Sequence, residues 1–128
     1  MDLASRRYGD VVVAAPVGRI DHANADGLTA ALAPLLDSPD GEPLLLDFSR
    51  VDYISSVGLR VLMMAAKSLR AKERRLGVAA PQPVVREIFE ISRFNLILDL
   101  SPSVRAGLER LSPKAAAAFD AAGTTGAS

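Results

Sequence analysis

In the stretch DYISSVGLRVLMMAAKSL, residues 52–69, two adjacent serines and a glycine stand at the start of a strongly apolar, helix-like run. Serine is a poor residue inside a helix and a good one at its start, where its oxygen accepts a hydrogen bond from a first-turn amide. A cap requires one serine, so the pair Ser55 and Ser56 leaves one hydroxyl for other chemistry. A phosphate ester at a helix mouth would meet unpaired amides and the positive end of the helix dipole. Gly58 would serve either close helix packing or access to that corner.

Other reactive side chains are sparse. Asp21 and His22 adjoin, but His22 is the only histidine and has no second ligand at recognisable spacing, so an exposed first-turn histidine is expected and no metal site. Asp21 can cap the following helix and also support the serine loop. A serine hydrolase would want G-x-S-x-G and an oriented base; a nucleotide site would want G-x-G-x-x-G or a P-loop. None of these motifs occurs, so no catalytic residue, no cofactor and no enzyme activity are expected.

The 128 residues suffice for one domain with its own core. With 15 basic and 15 acidic side chains the formal charge is zero, which gives no support to nucleic-acid or anionic-membrane binding. The absence of cysteine excludes disulfides and thiolate metal sites. No apolar run approaches the ~20 residues needed to span a bilayer, and the first ten residues lack a signal-peptide core. A cytoplasmic protein without membrane insertion is expected.

The elements that must position the serines are legible from periodicity. Residues 11–18, VVVAAPVG, read as a strand, with 3–8 as a weaker strand before a YGD turn. Ala25, Leu28, Leu32, Leu35 and Leu36 recur at helical spacing, with Pro34 expected to bend or break the last turn. Residues 43–48 and 76–81 are short apolar runs suited to buried strands. Pro83 opens a helix whose Val84, Ile88 and Ile91 share a face, and NLILDL, residues 95–100, reads as a strand. Ser101 can then cap a helix with Pro102 in first position and Val104, Leu108 and Leu111 along one side. After Pro113 the alanine-rich chain loses its core pattern and is expected to fray into disorder. The order predicts an α/β single domain over residues 1–112. Its mixed, mostly parallel sheet has four to five strands and about four flanking helices, with residues 113–128 as a tail.

In such sheets function gathers where strands end and helices begin. That rule brings together GRID at 18–21, DFSRVDYISSVG at 47–58 and APQP at 80–83. On the helix after the serines, Leu59, Leu62, Met63, Ala66 and Leu69 form the expected core face. Met64 and Val61 fall on or beside the opposite face, framed by Arg60 and Lys67, and are expected to be at least partly exposed. An apolar centre with a basic rim one turn from the serines reads as a partner-docking surface. The run KERR, 72–75, reads as the positive C-terminal end of the same helix.

At these residues a family becomes recognisable. LLLDFSRVDYISSVGLRVL resembles the central motif of STAS-domain anti-sigma factor antagonists, the anti-anti-sigma factors. GRIDHANADGL is similar to the family's second signature, and EISRFNLILDL to the segment before its last strand. The resemblance implies an α/β domain that binds an anti-sigma factor of the serine-kinase type. That partner phosphorylates a hydroxyl residue at the helix mouth and thereby loses the complex, and a metal-dependent serine phosphatase resets it. Many members read Asp, two hydroxyl residues, Gly; here the four are Ser55, Ser56, Val57 and Gly58. Aligned on the glycine, Ser56 matches the first hydroxyl residue, which implies Ser56 as acceptor and Ser55 as cap or alternate acceptor. A competing expectation from the same fold is a STAS subunit of an ABC-type transport complex bound to its ATPase.

Overall fold

The computed structural model describes residues 3–125, with side chains to residue 123. β1 (Ala4–Tyr8) and β2 (Val11–Ala15) form an antiparallel hairpin whose turn is closed by Gly9 at φ +57°. That left-handed conformation is open to glycine at little cost. Pro16 has no N–H for a strand ladder, and the run 11–18 does not continue as one strand. The chain leaves the sheet there and makes a separate short strand, β3 (Gly18–Ile20).

α1 (Ala25–Leu36) buries Ala25, Leu28 and Leu32. Pro34 does not break its last turn: the helix stays regular to Leu36, and the Asp37 N–H still reaches the Ala33 carbonyl at 3.0 Å. β4 (Leu44–Asp47) follows, then β5 (Val51–Ile54), a strand the periodicity did not reveal. β5 pairs in parallel with β3 to make a two-stranded sheet of its own. After α2 (Ser56–Arg70) and the fully buried β6 (Leu76–Ala79) comes α3 (Pro83–Ile91). Its core face is Val85 and Phe89, whereas Val84 and Ile91 are exposed, so the expected face is rotated toward solvent.

Residues 95–100 are not one strand. A 3-10 turn spans Phe94–Leu96, and β7 is the short Asp99–Ser101. The cause is the anchoring of Phe94 and Leu98 in the core, four residues apart, which winds the chain between them. Ser101 therefore ends a strand and is buried; the cap of α4 (Val104–Leu111) is Ser103, whose Oγ accepts from the Ala106 N–H at 3.0 Å.

The main sheet runs β1-β2-β4-β6-β7, antiparallel only at β1 and parallel elsewhere. Alternation splits β4: Leu44 and Leu46 face a core shared with α1, α2 and α3, while Leu45 joins Val11, Val13 and Ala79 on the other face. That second face is covered by α4 and by a fifth helix, α5 (Pro113–Thr125). The described residues thus hold five α-helices, and residues 113–125 are a docked helix rather than a disordered tail. Ala115 and Ala116 are buried, Phe119 meets Tyr8 edge-on at 5.1 Å, and Ser112 Oγ donates to Asp10 at 2.6 Å. The Arg105 guanidinium, hydrogen-bonded to Asp120 at 2.9 Å, holds that carboxyl below its ordinary value. Residues 126–128 lie outside the described residues. No helix among the described residues is long and apolar enough to cross a membrane.

The run 72–75 also has a different use from the one expected. α2 ends at Arg70, and Arg74 is buried beneath the end of α1. Its guanidinium donates to the carbonyls of Leu36 (2.7 Å), Leu35 (3.0 Å) and Glu42 (2.7 Å). Lys72 Nζ adds a bond to Leu36 at 2.7 Å. These cations satisfy the last carbonyls of α1, not those of their own helix.

Candidate functional site

The two serines occupy different environments. Ser55 is extended (φ −87°, ψ 173°), and its Oγ accepts from the Gly58 N–H at 3.2 Å. Its carbonyl accepts from Leu59 N–H at 2.9 Å, and its own N–H donates to the Ile20 carbonyl at 2.8 Å. Ser55 is therefore the N-cap, stitched to the end of β3 and half-buried. Ser56 is the first helical residue and exposed, and its hydroxyl makes no hydrogen bond among the described residues. No acidic side chain lies in the first turn of α2 to oppose a second negative charge there.

Gly58 is buried where α2 crosses β3 and β5. A Cβ on it would stand 2.7 Å from Ile20 Cγ2, 2.7 Å from Ile54 Cγ1 and 3.2 Å from the Ile20 carbonyl oxygen. Close packing alone requires glycine at this position.

Asp21 is placed beside the serine loop but spends its carboxylate locally. Oδ1 accepts from Ala23 N–H at 3.0 Å, and Oδ2 lies 3.5 Å from Arg19 Nε. It is not the cap of α1, a position held by Asn24, whose amide ties Asp21 N–H (2.9 Å) to the Arg19 carbonyl (2.6 Å). The support Asp21's loop gives the serines runs through the backbone bond from Ser55 to Ile20. His22 is exposed, and the described residues contain no cluster of three metal-ligating side chains.

Three residues inside the expected rim segments make contacts that the sequence does not announce. The Arg19 guanidinium lies 4.5 Å from the centre of the Tyr53 ring, a stack made by the β3–β5 pairing. Gln82, at the start of α3, donates through its side chain to the Ser49 carbonyl at 3.0 Å, joining the loops after β6 and β4. Arginine beside an aspartate, and tyrosine in an alternating run, signal a paired strand only once β5 is known.

On α2 the outer stripe beyond Ser56 carries Arg60, Met64 and Lys67, all exposed, with Met64 at 61%. Val61 departs from expectation: it is 8% exposed and turned toward α1. The helix-wheel angle put it at the edge of the outer face, and the neighbouring helix covers that edge. α2 contains no acidic residue, so the stripe is a cationic face with one apolar side chain in its middle.

Comparison with known proteins agrees with this architecture. The STAS domain family matches residues 2–107. A Bordetella bronchiseptica protein named as an anti-sigma factor antagonist, BtrV, is 38% identical over 122 residues, spanning 95% of this chain and 97% of its own. The crystal structure of an anti-sigma factor antagonist from Mycobacterium paratuberculosis has a TM-score of 0.76 at 25% identity, over 86% of this chain and 92% of that one. The anti-sigma factor antagonist SpoIIAA shares the fold at 18% identity in its unphosphorylated form (TM-score 0.71, 85% of this chain, 95% of that one). Its Bacillus phosphorylated form does so at 0.64, over 87% and 100%. With a family match across the sheet and a near full-length relative of that kind, the chain belongs to the STAS-domain family of anti-sigma factor antagonists.

Proposed function

We propose that this protein antagonises an anti-sigma factor of the serine-kinase type and that phosphorylation of Ser56 by that partner dissolves the complex. The observation that carries the reading is the division of labour at the helix mouth. Ser55 spends its hydroxyl on capping, and Ser56 presents an uncommitted hydroxyl to solvent. The relatives named as anti-sigma factor antagonists support the partner class, and SpoIIAA, known in both phosphorylation states, supports the switch.

A phosphoserine brings about −1.5 to −2 charges. At the start of α2 it meets first-turn amides that lack intrahelical partners, and the dipole favours it by roughly 0.3–1 kcal/mol. The free protein therefore keeps its fold. A partner that covers Ser56 together with Met64 must desolvate the phosphate, which costs several kcal/mol when uncompensated. In this reading the chain is a cytoplasmic binding module rather than an enzyme, and a metal-dependent serine phosphatase restores it.

The test is incubation with the cognate kinase and ATP, with the product mapped by mass spectrometry. One phosphate on Ser56, abolished by Ser56→Ala and retained by Ser55→Ala, is expected. An active kinase that modifies neither serine would remove the switch.

A further inference from the structure

Between α1 and α2 lies a groove of about 210 Å³, with Leu32, Leu36, Val61 and Ala65 forming its apolar interior and Thr29 and Met64 on its exposed lips. Small-molecule pockets run to roughly 300–1,000 Å³, so this groove is scaled to a large apolar side chain or two from a protein partner. It follows α2 from Val61 to Ser68, about 10 Å at 1.5 Å per residue, or two helical turns.

The groove borders the cationic stripe, and Met64 belongs to both. Arg60 and Lys67 flank Met64 one turn to either side, and neither pairs with a carboxylate among the described residues. Seven other cations, Arg7, Arg19, Lys72, Arg75, Arg86, Arg105 and Arg110, each lie within 4.0 Å of a carboxylate; Arg60 and Lys67 are not among them. α2 offers Arg60 and Lys67 no such neighbour, since residues 56–70 include no Asp or Glu. An apolar slot with Thr29 on one lip, and on the other Met64 flanked along α2 by cations that lack a carboxylate partner, has a definite complement.

We infer that the groove between α1 and α2 receives an acidic amphipathic segment of the anti-sigma partner, its apolar side chains over Leu32 and Val61 and its carboxylates against Arg60 and Lys67. This rests on the functional reading above and adds a second contact to it. Recognition then has two separable parts: the serine mouth, which is switched, and the groove, which holds the partner by shape and charge. The mode is that of a helix laid in a groove, with specificity from the charged edge.

The experiment is calorimetric titration of the full chain against the anti-sigma kinase that modifies Ser56, in the Ser56→Ala background so that no phosphate intervenes. Thr29→Trp fills the groove from its exposed lip, and Lys67→Glu reverses the charged edge; circular dichroism checks both folds. Each is expected to weaken binding about tenfold or more, which is about 1.4 kcal/mol. Raising salt from about 50 to about 500 mM should weaken the parent complex, and less so for Lys67→Glu. If Thr29→Trp does not fold, Lys67→Glu and the salt series decide. A complex that forms and is released by Ser56 phosphorylation, yet ignores both variants and salt, overturns the groove and leaves the switch standing. No complex with the parent protein overturns the functional reading and the groove with it.

Discussion

At the scale of single residues, the serine pair makes opposite predictions for its two members. Ser55→Ala removes the Oγ that accepts from Gly58 N–H and should cost about 0.5–2 kcal/mol in denaturant unfolding. Ser56→Ala touches no hydrogen bond among the described residues and should stay within about 0.5 kcal/mol of the parent. Equal losses would mean that capping is shared and that neither hydroxyl is spare. Gly58→Ala sets two effects against each other. Alanine favours a helix by up to about 1 kcal/mol, but a Cβ 2.7 Å from two buried isoleucines costs about 1–3 kcal/mol in overpacking. The clash should win, and the melting temperature should fall. Arg74→Met should be costlier still. It removes the side-chain donor to the carbonyls of Leu35 and Glu42, leaves that of Leu36 to Lys72 alone, and should lose on the order of 3 kcal/mol by the same unfolding measurement.

At the scale of elements, what could be read from the chain was what local physics decides. A cap needs only a serine followed by helix-forming residues, so the mouth of α2 was legible, and so were the apolar runs of β4 and β6. β5 was not, because its apolar ends Val51 and Ile54 make a strand only through pairing with β3. Residues 95–100 misled because Phe94 and Leu98 sit at helical spacing within an apolar run that also suits a strand. α3 has apolar residues on two adjoining faces, and only the fold chooses Val85 and Phe89 over Val84 and Ile91. Val61 was misplaced by the same kind of ambiguity, resolved by its neighbour α1. α5 was hidden because Ala115 and Ala116 pack by small size against Gly9 and its hairpin, which no hydrophobic period announces. Its docking is testable through Asp120. A carboxyl held below its ordinary value of 3.8 favours the folded state above that pH, and the contribution is lost as pH falls through the lower, folded value. Asp120→Asn should therefore lower the melting temperature at pH 7, by an amount that shrinks as the pH falls below 3.8. A difference that persists in acid would assign the effect to packing instead.

At the scale of the whole molecule, the sheet separates two tasks. One face, under α4 and α5, is closed by Leu108, Ala115, Ala116 and the Tyr8–Phe119 contact. The other carries α1 and α2, with the serine mouth, the cationic stripe and the groove along one side. Substitutions on that outer side should spare the fold: Ser56→Asp and Met64→Asp are both expected to keep the circular-dichroism spectrum of the parent, since both positions are exposed. Met64→Asp should nonetheless weaken partner binding with Ser56 unmodified, by setting a carboxylate in the middle of a docked apolar contact. The central claim is that one phosphate on Ser56 dissolves a complex without disturbing the domain. Calorimetric titration of the purified Ser56-phosphorylated protein and of the unmodified protein against the same anti-sigma partner tests it. The account predicts a loss of roughly a hundredfold or more in affinity, since several kcal/mol of uncompensated desolvation correspond to a tenfold change per 1.4 kcal/mol. Equal affinities for the two forms would contradict it.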